Sequence, residues 1–97
     1  MELPDEMTYG EAYGPAMGIT QQEKAAEYLE ALILRHMRLL GCGREEATRI
    51  EKTNLGYWAG YYDKETAQRV YQLFSCQHPI FGTSWPSPKE AFKKATP

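Results

Sequence analysis

The run Thr20–Gly41, TQQEKAAEYLEALILRHMRLLG, decides the fold class. Thr20 followed three residues later by Glu23 spells a capping box, in which each side chain bonds the other residue's backbone N–H. No Gly or Pro interrupts Gln21 to Leu40, and Gly41 supplies a C-terminal stop. Ala25, Leu29, Leu32, His36 and Leu39 or Leu40 recur at helical spacing. Ala26, Ile33 and Met37 form a second row beside them, and Leu34 lies outside both. That apolar face is too wide for one partner helix. It predicts a central helix, or a further contact with another copy and hence a homo-oligomer.

Downstream, Gly41-Cys42-Gly43 reads as a turn and a second helix begins near Arg44. It carries Ala47, Ile50, Asn54, Tyr57 or Trp58, and Tyr61 at spacings of three and four, with Glu45 and Arg49 placed to pair. Asp63 is a good N-cap for a third helix running to about Ser75, with Ala67, Val70, Tyr71 and Phe74 on one face. Residues 77–86 read as a loop. Ser87, Pro88 and Glu90 then open a short last helix containing Ala91 and Phe92. Upstream, residues 1–19 hold Pro4, Gly10, Gly14, Pro15 and Gly18 with little periodicity, the pattern of an irregular arm. The expectation is an all-α chain: a compact helical domain of about four helices over 20–97, preceded by an irregular arm over 1–19.

Ninety-seven residues fit one domain, and 42% hydrophobic with 25% charged residues is a globular balance. A net charge of −2 argues against strong nonspecific binding of nucleic acid, which needs cations to neutralise phosphates. No apolar run approaches the ~18 residues of a membrane span. The acidic start Met1-Glu2-Leu3-Pro4-Asp5-Glu6 does not read as a signal peptide. Two cysteines, Cys42 and Cys76, make no disulfide framework and point to a reducing, cytoplasmic setting.

The unusual stretch is Gly56-Tyr57-Trp58-Ala59-Gly60-Tyr61-Tyr62. Each glycine inside a helix costs about 1 kcal/mol against alanine, so something compensates. Gly56 and Gly60, four apart, bare one helix face to a neighbouring backbone or a flat ligand. Tyr57, Trp58, Tyr61 and Tyr62 stand around it and suit stacking on a base or anchoring a partner; a tight helix crossing with aromatic packing is the other reading. Asn54, on the same helix, either ties the core together or reads a ligand edge. Lys24, near a helix N-terminus, is a surface residue or the completion of a phosphate pocket.

Other chemistry finds little support. His36, Cys42, Cys76 and His78 lack a recurring zinc spacing, and His36 on an apolar stripe reads as a core histidine. Cys76 and His78 are too close in sequence to pair readily as nucleophile and base. Glu45, Glu46 and Glu51 read as solvated charge on the outer part of their helix. No GxSxG, P-loop, GxGxxG or HExxH is present, so the expectation is no catalysis, no metal and no cofactor.

Residues Gly56–Gly82, GYWAGYYDKETAQRVYQLFSCQHPIFG, resemble small proteins encoded by bacteriophages and prophages, and the likeness continues into Pro88-Lys89-Glu90-Ala91-Phe92. It covers about the C-terminal half and implies an origin rather than an activity. The resulting expectation is a non-catalytic binding protein in the host cytoplasm that counters an antiviral defence. Its partner would be a nucleotide-derived small molecule, stacked by the aromatics with Lys24 or an arginine on phosphate, or a host defence protein. A virion structural or assembly protein is the alternative. A small DNA-binding regulator is another, although its third helix offers only Lys64 and Arg69 as cations.

Overall fold

The computed structural model describes residues 1–76, and their regular structure is entirely helical. In chain order it comprises α1 (Tyr9–Tyr13), a 3-10 turn (Pro15–Gly18), α2 (Gln22–Leu40), α3 (Arg44–Ala59) and α4 (Lys64–Phe74). The expected loop over 77–86, the last helix at Ala91 and Phe92, and the cations Lys89, Lys93 and Lys94 lie outside the described residues.

The expected stops hold. Gly41 closes α2 in the left-handed region at φ 66°, donating its N–H to Met37 O at 2.8 Å. Asp63 caps α4, its carboxylate accepting from Thr66 N at 2.9 Å; that bond holds its pKa below the ordinary carboxyl value. The predicted start of α2 differs. Gln21, not Thr20, is its N-cap, and no side chain caps it. The capping box forms instead at Thr8 and Glu11: Thr8 Oγ1 accepts from Glu11 N at 3.1 Å, and Glu11 Oε1 from Thr8 N at 2.9 Å. It initiates the five-residue α1, too short to persist without packing.

That packing comes from the whole molecule. Residues 1–19 supply Leu3, Ala12, Tyr13, Ala16 and Met17 to the same core as Ala25, Tyr28 and Leu32 of α2, Leu55 and Trp58 of α3, and Val70 and Phe74 of α4. Long-range polar contacts from α2 and α4 fix the segment and tie those two helices together. Tyr28 donates its hydroxyl to Ala12 O. Arg69 of α4 donates to Met17 O and to Ile19 O. Gln22 Nε2 reaches Leu73 O at 3.0 Å. Helix α3 packs between α2 and α4, and a forked pair between Arg44 and Glu30 ties its first turn to α2. The expected Glu45–Arg49 pair is replaced by Arg49–Glu46, at 3.9 Å.

The central helix uses its wide apolar face inside the chain more than expected. Ile33 of the second row is buried, Met37 half-buried and Ala26 exposed. What stays open is Leu34 and the last turn, with Leu34 46%, Leu39 44% and Leu40 69% exposed.

Candidate functional site

The end of α3 turns most of its aromatic segment inward. Gly56, Trp58, Ala59, Gly60 and Tyr61 are buried, and Tyr62 is half-buried against the core. Trp58 stacks on Tyr13 with ring centroids 6.4 Å apart. Tyr57, 37% exposed, is the most open aromatic of the set. It meets Tyr61 edge-on at 4.8 Å, and the Tyr61 hydroxyl donates to the Tyr57 hydroxyl at 2.7 Å. Asn54, half-buried, donates from Nδ2 to the Tyr13 hydroxyl at 2.9 Å. Lys24 is exposed in the first turn of α2. Asn54 and Trp58 therefore converge on Tyr13, a residue of α1 that sequence reasoning left in the arm.

Tyr13 also reaches the least expected residue in the molecule. Glu51, read as solvated charge, is 1% exposed. One position away from the predicted apolar row, it sits with Ala47, Leu55 and Trp58 on the face of α3 that enters the core. Its carboxylate accepts from the Tyr13 hydroxyl at 2.8 Å and 3.1 Å, one distance to each oxygen. His36 Nδ1 stands 3.5 Å from Oε2, long for a hydrogen bond. The other ring nitrogen, Nε2, is buried and has no hydrogen-bond partner among the described residues. A carboxylate, an imidazole, a phenol and an amide from three helices thus form one polar cluster.

Carboxylate, imidazole and phenol in mutual reach are the components of an acid–base site. Here they are engaged with one another inside the core. Burial first, and the Glu51 charge next, push the Tyr13 phenol well above its ordinary pKa, so it stays a donor. In this conformation the cluster binds helices together; Glu51 and Tyr13 present no open face to a substrate.

The remaining candidates fall apart in space or in reactivity. His36 turns Nδ1 to Glu51, and no group of three or more His, Cys, Asp or Glu among the described residues is arranged to hold a metal. His78 lies outside them. Burial pushes the Cys76 thiol up to about 12, far from thiolate character, while Cys42 is half-buried. Of the two cations on α4 available to a DNA contact, Arg69 is taken up by the carbonyls of Met17 and Ile19.

Among the described residues after residue 9, the second half of α2 presents the most exposed large apolar side chains. Leu39 lies one turn beyond Arg35 and next to Arg38, and both arginines hold the segment Leu3–Asp5 against the helix. Arg35 Nε donates to Pro4 O at 2.7 Å and Nη2 to Asp5 O at 2.7 Å. Arg38 Nε donates to Asp5 Oδ1 at 2.8 Å and Nη2 to Leu3 O at 3.0 Å. Among the described helices, none is long and apolar enough to cross a membrane. Comparison of the chain with protein-family models, with curated proteins and with solved structures returns no match.

Proposed function

We propose that this chain is a non-catalytic binding protein that acts by occupying a partner protein through the second half of α2, in the manner of a small phage protein countering a host defence in the host cytoplasm. The exposure of Leu34, Leu39 and Leu40, three large apolar side chains in the second half of one helix, carries the reading, since apolar surface left open favours a protein contact. The aromatic segment supports the same choice between the two expected partners. With Trp58 and Tyr61 turned into the core, two of the four rings that would stack on a nucleotide-derived signal are enclosed. Tyr57 and Tyr62 remain as edge contacts for a protein surface.

The test is site-directed photo-crosslinking of the full chain in bacterial cells that carry an active defence system. A benzophenone side chain at Leu40 captures one discrete host protein, and the same group at exposed Gln72 on α4 does not. Equal labelling from both positions overturns the assignment of the surface. Calorimetry against cyclic nucleotides and ADP-ribose derivatives runs beside it; saturable heat with any of them restores the signal-binding alternative.

A further inference from the structure

The geometry points to a peptide-binding cradle on α2, formed by Arg35 and Arg38 and occupied in this structure by the chain's own Leu3-Pro4-Asp5; its intended occupant is an acidic segment of the partner protein that displaces them. The inference rests on the reading of the second half of α2 as a binding surface and names the chemistry that surface takes.

The two guanidinium groups lie three residues apart, which places them on neighbouring turns of one helix face. Between them they make four hydrogen bonds, of 2.7–3.0 Å, to a single stretch of three residues. Three of the four go to backbone carbonyls, and the fourth, with an ion pair at 2.6 Å, goes to the Asp5 carboxylate. Contacts to carbonyls read a peptide by its backbone, whatever its side chains are. The carboxylate contact adds a demand for one acid, and the buried Leu3 adds a demand for one apolar side chain two positions before it. The cradle therefore specifies an apolar–x–acidic tripeptide.

The present occupant is held by those four bonds, the ion pair and one buried side chain. Leu3, Pro4 and Asp5 belong to no helix, so their carbonyls have no ladder to return to. Glu2, Pro4, Asp5 and Glu6 are exposed, and Leu3 is the one side chain of the five that enters the core. Arg38 is itself exposed, so incoming carboxylate can reach it before the old one departs. Leu39, four residues after Arg35, extends the cradle with an open apolar edge that residues 3–5 leave 44% exposed. A tethered occupant has an effective concentration on the order of millimolar, so a free peptide competes poorly until the tether's own contacts are weakened.

The test measures fluorescence anisotropy of a labelled, N-acetylated peptide of sequence Glu2–Met7 against the full chain and its variants. Asp5→Ala and Leu3→Ser/Asp5→Ala are expected to bind it at least ~10-fold more tightly than the parent chain, because the competing occupant is weakened. Adding Arg38→Ala to Asp5→Ala removes that gain, and a peptide carrying Arg in place of Asp5 does not bind. Variants that keep their helical circular dichroism and ignore the peptide overturn the cradle. Asp5 is an exposed side chain, so a chain that unfolds on Asp5→Ala overturns it as well, by making residues 3–5 an obligatory part of the fold. If the peptide fails while crosslinking from Leu40 still captures one protein, the cradle falls and the binding surface stands.

Discussion

Removing one oxygen atom, in Tyr13→Phe, strips the buried Glu51 of its hydroxyl donor. The ring can stay stacked on Trp58, so the change isolates the polar term. Two bonds go. The hydroxyl no longer donates to the carboxylate at 2.8 and 3.1 Å, and Asn54 loses the acceptor it holds at 2.9 Å. A hydrogen bond to a charged group contributes about 1.5–3 kcal/mol and an ordinary one about 0.5–1.5 kcal/mol, so the variant loses about 2–4 kcal/mol. Set against a total of about 5–15 kcal/mol, that is a large fraction. In a chain of this size it lowers Tm by on the order of 10–25 °C. The assay is urea unfolding followed by helical circular dichroism, with a double-mutant cycle through Glu51→Gln. Once the charge is gone, loss of the phenol no longer strands a buried carboxylate, although Asn54 still loses its acceptor, so the cycle returns a coupling of about 1–2 kcal/mol or more. A Tyr13→Phe chain within about 0.5 kcal/mol of the parent, or a cycle additive to that margin, refutes the argument that Tyr13 is what makes the burial of Glu51 tolerable.

Other outcomes follow from the same contacts. Under native conditions near pH 8, Ellman's reagent titrates Cys42, while Cys76, held up to about 12 by burial, reacts only as the chain unfolds. Cys76 and Tyr71, each raised to about 12 by burial from ordinary values of 9.0 and 10.0, keep protons that the unfolded chain releases; the stability they contribute is full below about pH 9 and is lost as pH rises toward about 12, a decline visible in unfolding midpoints. At the acid end Asp63 and Glu30 act with the opposite sign, since pKa values lowered by Thr66 and Arg44 give stability present above the ordinary carboxyl range and lost as pH falls below it. Gly14→Ala places a Cβ 2.4 Å from Gly10 O, forces α1 and the 3-10 turn apart, and costs about 1–3 kcal/mol by chemical unfolding; Gly18→Ala, which meets nothing within 4 Å, stays within about 0.5 kcal/mol of the parent.

Local signals were legible and non-local ones were not. Gly41 and Asp63 act through their own backbone and nearest turn, so their roles were visible in sequence. Thr20-x-x-Glu23 and Thr8-x-x-Glu11 spell the same cap, yet only the second forms. The four-residue pattern does not encode the contacts that fix the segment after Thr8: Tyr28 and Arg69 clamp the chain at Ala12 and Met17, across 16 and 52 positions. The buried face of α3 shows the same limit. A pattern of apolar spacing placed Ile50 and Asn54 inward and Glu51 outward, because a carboxylate turned to the core is unfavourable on its own. The donor that reverses the balance sits 38 positions away, on a five-residue helix concealed by the glycines and prolines in and around it.

The width of the α2 face can now be divided by what covers it. Ala25, Tyr28 and Leu32 face the shared core, His36 meets Glu51 of α3, and Ile33 is closed within the chain. Of the second row, Ile33 is thus closed and Met37 half-covered within the chain, while Ala26 stays exposed. What is left to cover, Leu34, Leu39 and Leu40, is too little for a stable interface by itself: one of standard size buries about 800 Å² per partner, several times what three half-exposed leucines supply. A partner that binds here with useful affinity must also engage polar surface beside them. Within one turn of Leu39 that surface is Arg35 and Arg38, whose donors now serve residues 3–5. On the proposed reading, apolar contact at Leu39 and Leu40 and release of Leu3-Pro4-Asp5 accompany one another, and a Leu40→Glu substitution weakens capture of the partner while leaving the free peptide's affinity for the Asp5→Ala chain within ~2-fold.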